Sequence, residues 1–373
     1  MRLDVQGRTA WLVFALIFAL ASLLALAAAR VLAPNGETEA DKIEKIRAAR
    51  VATAEVALKQ QGGSRILLKV DTDALREAVS IGLRDDTRRV LRDKRIPFAG
   101  LAARDGGVEV RIPEAKDRER ALSELARLSG APPSSAGSID VADLGEGLIR
   151  LTATESGFAD RLHNLRQQSM EVIEERLRNF GVAAAGVQPD GLDRIRILAP
   201  GVKDPERLNV IFSKRARLTF RLVDLSMTAA EALQGNPPPA AEVLYELNGK
   251  TPYLLLKRVE MEGGDIIDVA PGFDQRTREP IVTFRFNANG ARRFGQITQE
   301  NVGRPFAIVF DNDVLSAPVI REPILGGSGQ ISGGFTLEQA NTIAMLLRSG
   351  TLPGRLIVIE QQVVEPEGKA GKE

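Results

Sequence analysis

An uncharged, mostly apolar run from Thr9 to Ala29 places the strongest limit on what this chain can fold into. Twenty-one helical residues span about 31 Å, which is close to the hydrocarbon thickness of a bilayer. Arg2 and Arg8 precede the run and Arg30 follows it, and no later stretch repeats the pattern. The sequence therefore predicts one membrane helix, over residues 9–32, that carries a large water-soluble region.

The charges around this run predict its orientation. The leader, residues 1–8, carries Arg2 and Arg8 against Asp4, so the positive-inside bias keeps it cytoplasmic. In a bacterium the bulk of the chain then lies in the periplasm, and the absence of cysteine fits that oxidising compartment. A cleaved signal peptide is the alternative, because Ala25-Leu26-Ala27 offers a small-residue cleavage site. Both alternatives leave the soluble region in the same compartment.

The charge balance bears on the class of partner. The 373 residues contain 50 lysines and arginines against 49 aspartates and glutamates, for a net charge of +1, and the two signs are interspersed. Nucleic-acid binding needs a concentrated basic face, which is not found here. We therefore expect no nucleic-acid partner, and the length predicts two or more domains.

Hydrophobic periodicity predicts a first folded unit over residues 62–152, after a helical linker at residues 33–61. Ile66, Leu68 and Val70 alternate with polar residues, as in a half-buried strand. A helix, a hairpin around Asp105-Gly106-Gly107, a second helix and a strand follow. This order is the split βαβ arrangement of a ferredoxin-like unit.

The same order recurs from residue 153. A long helix with one apolar face ends at Gly181, a second hairpin surrounds Asp190-Gly191, and a helix begins after Asp204-Pro205. Alternating apolar residues over Leu218 to Leu222 predict a closing strand. The predicted fold class is therefore α+β, with tandem ferredoxin-like (split βαβ) units.

The composition changes beyond Asp224, which predicts a separate α+β subdomain. Its last helix has a capping box formed by Thr336 and Gln339 and is ended by Gly350. A final strand is predicted over Leu356 to Val364, and the charged tail at residues 365–373 is predicted to be disordered.

Several of these stretches together resemble the first periplasmic domain of SecD, an accessory subunit of the bacterial Sec protein-export machinery. The matching blocks are Leu198–Arg207, Leu218–Val223, Glu300–Pro305, Ala307–Asp311, Ser316–Ile320, Gly326–Gly333 and Leu346–Pro353. The resemblance implies a base subdomain at residues 153–224 and 353–364 and an inserted head subdomain at residues 225–352. It also implies contact with exported preproteins, SecF and Sec channel subunits at the bacterial inner membrane.

The chain departs from this family in two respects. The family motif Gly-Leu-Asp-Leu-x-Gly-Gly corresponds here to residues 57–63, where only Leu58, Gly62 and Gly63 match and Lys59 replaces the acidic residue. The family also continues into further membrane helices that conduct protons, and this sequence ends at Glu373 without them. We therefore expect either a truncated SecD or a short paralogue that does no proton-driven work by itself.

The polar motifs do not predict an enzyme. Gly326 to Gly334 lacks the Gly-Lys-Ser/Thr ending of a phosphate-binding loop, and His163 is the only histidine. Asp311 and Asp313 resemble a carboxylate pair, but a turn between strands uses the same residues for backbone hydrogen bonds. No catalytic constellation for an anchored hydrolase is found, and no cofactor or metal is expected.

The candidate site residues are apolar side chains of the head: Phe273, Phe306, Ile324 and Phe335. An extended client polypeptide that pairs with an exposed strand edge can be gripped by such side chains. The alternative for each of them is a place in the hydrophobic core. The alternative function is a structural adaptor that binds Sec subunits or envelope proteins without contacting clients.

Overall fold

The computed structural model describes residues 39–104, 106–130, 137–247, 249 and 251–367. The leader, the predicted membrane helix at residues 9–32 and the start of the linker lie outside these residues. Of the helices in the described ranges, none combines the length and the apolar character that crossing a bilayer requires.

Eight α-helices and seventeen strands are found in the described part of the chain. The helices are α1 Glu39–Gln61, α2 Thr72–Asp93, α3 Ala115–Ala126, α4 Glu155–Asn179, α5 Asn209–Ser213, α6 Ala229–Gln234, α7 Ala288–Glu300 and α8 Leu337–Arg348. The strands are β1 Gly63–Val70, β2 Ala99–Arg104, β3 Gly107–Arg111, β4 Ile139–Asp143, β5 Leu148–Ala153, β6 Gly186–Asp190, β7 Arg194–Pro200, β8 Leu218–Leu222, β9 Ala241–Glu246, β10 Pro252–Leu256, β11 Met261–Glu262, β12 Ile266–Phe273, β13 Pro280–Phe286, β14 Phe306–Phe310, β15 Asp313–Ser316, β16 Ser328–Ile331 and β17 Leu356–Val364.

One antiparallel sheet with the strand order β17-β1-β7-β6 forms what we call the base module. Helix α4 connects toward β6, and α5 lies between β7 and β17 in the chain, so the sheet has the split βαβ topology of a ferredoxin-like fold. Its core combines alternate residues of the strands with one face of α4: Ile66, Leu68, Ile195, Ile197, Met170, Ile173 and Leu177.

The predicted α+β class is confirmed, but the strand pairing differs from two tandem ferredoxin-like units. Strand β1 does not join the N-terminal unit, because its apolar face packs with Ile195 and Ile197 in the base core. The remaining N-terminal strands form a separate sheet with the order β2-β3-β5-β4. Strand β4, which periodicity did not predict, pairs with β5 at the edge of this sheet. There is therefore one ferredoxin-like sheet rather than two.

The prediction that the strand at Leu218 to Leu222 closes the base sheet is also wrong. This strand, β8, lies in another sheet. It pairs with β14 and β11 in a six-stranded sheet with the order β10-β9-β15-β14-β8-β11. All five of its residues are buried, so both of its faces need partners. The closing position in the base sheet belongs to β17, which was the strand expected to return after the head.

The six-stranded sheet and a three-stranded sheet, β12-β13-β16, form what we call the head module, residues 218–349. The six-stranded sheet curls so far that Val223, after β8, forms an antiparallel bridge with Leu255 of β10. Between the two sheets the ring of Phe220 lies 5.7–5.9 Å, centroid to centroid, from four other rings, those of Phe284, Phe286, Phe294 and Phe306. Contacts of this kind favour tilted and edge-on arrangements, which is what is found here.

Helix α1 covers the β6 side of the base sheet and is fixed to α4 by an ion pair. Arg47 Nε donates to Glu174 Oε1 at 2.7 Å, and Val51, Ala54 and Leu58 pack against Leu198 of β7. After β17, the backbone N–H of Glu367 donates to the carbonyl of Lys59 at 2.7 Å. Residues 365–367 of the predicted disordered tail are thus in contact with the end of α1, and residues 368–373 lie outside the described residues.

Substitution of Gly63 tests the pairing of β1 with β7. Its φ is +147°, and a β-carbon there would meet the carbonyl oxygen of Ala199 and approach the backbone nitrogen of Gly201 to 2.9 Å. We expect Gly63→Ala to lower the free energy of unfolding by about 2–3 kcal/mol. Urea denaturation followed by circular dichroism of the detergent-solubilised chain measures this.

The matched control is Gly82→Ala on α2, where a β-carbon meets nothing within 4 Å. Because alanine is the better helix former, this variant should raise the free energy of unfolding by about 0.5–1 kcal/mol. A Gly63→Ala protein as stable as the parent would contradict the close packing of β1 on β7.

Candidate functional site

A cavity of about 290 Å³ opens on the head module between the edge strand β16 and the segment 318–322. Its floor is formed by apolar side chains from several elements: Phe220, Phe284, Phe294, Phe306 and Ile308. Arg321, Glu322 and Gln330 lie at its mouth. The cavity thus combines an aromatic floor with a polar rim, which is typical of a site that accepts an apolar group from an otherwise solvated ligand.

Strand alternation places the floor residues. Along β14, Phe306 and Ile308 point toward the aromatic core and the cavity, whereas Ala307 and Val309 point into the curled six-stranded sheet. From the other side, Phe294 on α7 contributes its ring. All these side chains belong to strands and helices, which hold a site more precisely than loops do.

Gly329 on β16 allows the strand to lie directly over the floor. A β-carbon at this position would lie 2.5 Å from Cζ of Phe284, so only glycine lets the ring pack beneath the strand. Glycine in a strand interior often marks such a close approach. Gly329 therefore joins the floor of the cavity to the strand edge above it.

The outer edge of β16 carries unpaired backbone groups. The N–H of Phe286 donates to the carbonyl of Gly327 at 2.8 Å, which fixes the phase of the antiparallel ladder between β13 and β16. Because hydrogen-bonded pairs alternate, Ser328 and Gln330 direct their N–H and C=O groups away from β13. Within the described residues no strand pairs with this edge.

Asp274 holds the side chain of Gln330, which lies on the solvent-facing side of the three-stranded sheet with that of Thr283. The carboxylate of Asp274 accepts hydrogen bonds from the backbone N–H groups of Thr277 and Arg276, each at 2.9 Å, and from Nε2 of Gln330 at 3.2 Å. These hydrogen bonds, with that from Thr277 the largest cause, lower the pKa of Asp274. The carboxylate therefore stays ionised at neutral pH, and its hold on Gln330 is lost only as the pH falls through this lowered pKa.

One exposed apolar side chain lines the cavity, and two others lie close to its lining segments along the chain or through a backbone hydrogen bond. Val319 is 52% exposed and Leu325 is 72% exposed, and Val302 is also exposed. Single exposed apolar residues are ordinary on a protein surface, but a group beside an apolar cavity marks an interaction surface.

The four predicted site residues separate into different environments. Phe306 and Ile324 line the same cavity, with Phe306 in its floor and Ile324 half-buried near its mouth. Phe335 is 4% exposed and belongs to the head core, and Phe306 is also only 4% exposed. Phe273 is 54% exposed at the end of β12, on the opposite edge of the three-stranded sheet. The structure thus places Phe335 in the core of the head, away from the surface, whereas Phe306 is buried but lines the floor of the cavity.

Sequence reasoning missed Gly329, Gln330 and Val319 as site residues. The signal that was present is the glycine-rich stretch from Gly326 to Gly333, which was considered above as a block shared with the family and as a phosphate-binding loop, but not as a strand. Its central residues are in fact the edge strand β16.

His163, Asp311 and Asp313, which the sequence offered as candidates for metal binding or acid–base catalysis, make contacts that stabilise the fold. Nδ1 of His163 lies 3.2 Å from the Arg166 guanidinium. Asp311 accepts the backbone N–H of Arg217 at 2.9 Å, and Asp313 pairs with Lys214 at 2.8 Å. In the described ranges, no group of three or more His, Cys, Asp or Glu side chains is placed to hold a metal ion.

Two family models match the chain. The model described as SecDF, P1 head subdomain, matches residues 241–354. The model described as Protein translocase subunit SecDF, P1 domain, N-terminal, matches residues 166–225. The first match includes β16 and the segment 318–322, and all the cavity-lining residues except Phe220 lie within it.

Curated relatives carry the same description. Protein translocase subunit SecD of Rickettsia bellii is 34% identical over 315 residues, covering 84% of this chain and 59% of that protein. The SecD of Magnetococcus marinus is 34% identical over 323 residues, covering 83% of this chain and 59% of that protein. The chain thus spans about 59% of the length of these curated relatives.

Two solved structures are also similar. One, described as a membrane component SecDF that enhances protein export, is 34% identical, covers 53% of this chain and 92% of that chain, and has a TM-score of 0.43. Another, SecDF in a super-membrane-facing form, is 23% identical, covers 86% of this chain and 35% of that chain, and has a TM-score of 0.47. The sequence matches confirm the resemblance stated above, and the chain belongs to the SecD family of protein translocase subunits.

Proposed function

We propose that this chain binds polypeptides that emerge from the Sec translocon and assists their export, from the periplasmic side of the bacterial inner membrane. The observation that carries the proposal is an aromatic-floored cavity directly beside an unpaired strand edge in the head module. The curated relatives are translocase subunits, which supports a role in export.

Recognition proceeds through two contacts of different kinds. An extended client adds a strand beside β16 and bonds to the outward backbone groups of Ser328 and Gln330, which is independent of the client's sequence. A bulky apolar side chain of the client then enters the cavity toward Phe284 and Phe306. This explains how one site accepts many different unfolded chains.

The free energies of these two contacts favour a transient complex. Burying one large apolar side chain contributes about 1.5–3 kcal/mol, and each backbone hydrogen bond adds about 0.5–1.5 kcal/mol. After the cost of ordering the client, the sum corresponds to dissociation constants on the order of micromolar to millimolar. A client can therefore be held and released without a chemical step.

The remaining parts of the proposal follow from the family. We propose that the segment at residues 9–32 anchors the chain in the membrane and that SecF and Sec channel subunits are its partners. Of the four residues first considered for client contact, Phe306 remains a candidate as part of the cavity floor, and Ile324 and Phe273 remain candidates because their side chains reach solvent.

A structural adaptor is the second candidate function, and one observation favours it. The outer edge of β17 has no paired strand among the described residues, and Ile357, Ile359 and Val363 on this strand are exposed. An exposed apolar edge strand is a template for pairing with another protein. Such a partner would bind the base module and leave the head cavity empty.

Photocrosslinking from Val319 tests client contact. We expect a benzophenone amino acid at position 319 to capture a permanently reduced, unfolded polypeptide about tenfold more efficiently than the same group at position 192, because only the first borders the cavity. Leu192, 79% exposed on the hairpin between β6 and β7, is the matched control. Equal capture at both positions would contradict the proposed site.

Gln330→Pro tests strand addition. Proline removes the outward N–H of β16 and leaves the ladder to β13 in place, because residue 330 occupies a non-hydrogen-bonded position of that ladder. We expect the affinity for a labelled unfolded polypeptide, measured by fluorescence anisotropy, to fall about fivefold, since one hydrogen bond of about 1 kcal/mol is lost.

Gln330→Ala is the control for this variant, because it removes the side-chain contact with Asp274 and keeps the backbone N–H. It should bind as tightly as the parent chain. If both variants bind equally well, the backbone of β16 does not contact the client.

Purification of the detergent-solubilised full chain from its host separates the two functions. Co-purifying trapped precursors support client binding, whereas Sec subunits or envelope proteins without any precursor support the adaptor.

A further inference from the structure

Helix α1 is apolar on two opposite sides. On one side Val51, Ala54 and Leu58 are buried against Leu198 of the base sheet. On the other side an apolar stripe at the helical spacing i, i+3, i+7 and i+10 faces solvent: Ile46, Ala49, Thr53 and Val56. We call these four residues the outer stripe. A surface helix of a globular protein typically has one apolar side, so the fold alone does not explain the outer stripe.

The outer stripe is exposed along its whole length. Ile46 is 56% exposed and Val56 is 55% exposed, and Ile43, beside the stripe, is 44% exposed. The hydroxyl of Thr53 donates to the carbonyl of Ala49 at 2.9 Å, so it is satisfied within the helix and the methyl group adds to the apolar surface. Large apolar side chains grouped on one face mark an interaction surface. The outer stripe is therefore a candidate for contact with a partner outside the described chain.

The chain that precedes α1 brings the outer stripe close to a bilayer. Residues 33–38 join the predicted membrane helix at residues 9–32 to α1, and this length of chain spans at most about 25 Å. The connection contains Pro34, Asn35 and Gly36, residue types that favour a change of chain direction. The sequence therefore lets α1 turn away from the membrane normal and run along the surface of the bilayer.

Basic side chains border the outer stripe. By helical position four of them lie along it or beside it: Lys42, Lys45, Arg50 and Lys59. Among the described side chains of this half of α1, Asp41 is the one acidic residue. The ion pairs of Arg50 with Glu174 and of Lys59 with Glu367 are long, at 3.8 and 3.9 Å. Lysine and arginine extend their alkyl stems along apolar surface and place the charge on phosphates, so this pattern is typical of a helix in the interface of an anionic membrane.

The base sheet beneath α1 directs further basic side chains toward the same side. In β1 and β7 the residues that alternate with the core positions lie on the sheet face that α1 partly covers: Arg65, Lys69, Arg194 and Arg196. Asp190 and Glu360 are acidic neighbours on this face. Arg65 and Arg196 also line a cavity of about 360 Å³ between α1 and the sheet. One helix is about 10 Å thick, which is comparable with the screening length of physiological salt, so these cations add to the field at the outer stripe.

We propose that α1 lies in the interface of the membrane, with the outer stripe at the level of the upper acyl chains and its basic border on the phosphates of anionic glycerophospholipids. The inference rests on the membrane anchor proposed for residues 9–32, and it goes beyond polypeptide binding because it assigns a lipid surface as a second partner. A second copy of the chain fits the outer stripe less well, because two basic borders would then face each other.

The test is the accessibility of a spin label in the full chain, reconstituted in vesicles that contain phosphatidylglycerol. The chain contains no cysteine, so Val56→Cys is labelled without removing native thiols. Oxygen concentrates among the acyl chains and a nickel chelate stays in water, so power saturation with each reagent reports the surroundings of the label. The matched control is Glu55→Cys, one residue away and on the side of the helix. We expect the ratio of oxygen to nickel accessibility at position 56 to be about threefold that at position 55.

In vesicles of phosphatidylcholine alone, the ratio at position 56 should fall about twofold, because the basic border then has no anionic partner. Equal ratios at positions 55 and 56 overturn the proposal, and a ratio at position 56 that does not depend on the lipid overturns the assignment to anionic headgroups. Dipolar broadening between labels at position 56 would place a second copy on the outer stripe, which also overturns the proposal.

A label at Ser22→Cys, within the predicted membrane helix, separates this inference from the proposed anchor. We expect this label to be accessible to oxygen and protected from the nickel chelate. Lipid contact at position 22 together with water contact at position 56 overturns the inference and leaves the anchor in place. Water contact at both positions overturns the anchor as well, whereas client binding is tested separately by the crosslinking at Val319.

Discussion

Strand β1 pairs on both of its sides, and the rest of the structure depends on this double pairing. Ile66 lies opposite Ile197 of β7 and opposite Gln361 of β17, so this early strand is joined to segments from the middle and the end of the described chain. Bringing such distant segments together costs loop-closure entropy, which the packing of Ile66 and Leu68 onto α4 offsets. The N-terminal sheet is inserted in the chain between β1 and β6 of this sheet, and the head module is inserted between β7 and β17.

Features that depend on neighbouring residues were predictable from the sequence. The capping box of Thr336 and Gln339 is present, and Asp204 accepts the N–H of Glu206 at 3.1 Å at the start of the next helical turn. Gly350 has the left-handed backbone expected after α8. The strand predicted over Leu356 to Val364 has the same bounds in the structure. Caps and alternation act over a few residues, so a single sequence carries them.

Which strands pair with each other, and which core covers each strand, could not be predicted from neighbouring residues. The alternation in β1 indicates one buried face but does not identify which core covers it, and the whole of β8 is buried, so its alternation indicates no face at all. The site shows the same limit. Phe273 and Phe335 are equally apolar in the sequence, and only the packing of two sheets places one on the surface and the other in the core. The cavity itself depends on the absence of a side chain at Gly329, which hydrophobicity cannot indicate.

The position of β17 at the end of the sheet has a consequence for synthesis. Because β17 follows the head in the chain, the head module leaves the ribosome, and is available to fold, before the base sheet can be completed. Until then one edge of β1 has no strand beside it. Assembly of the ferredoxin-like sheet thus follows synthesis of the head, and a nascent chain arrested before Leu356 would hold a complete head on an open base.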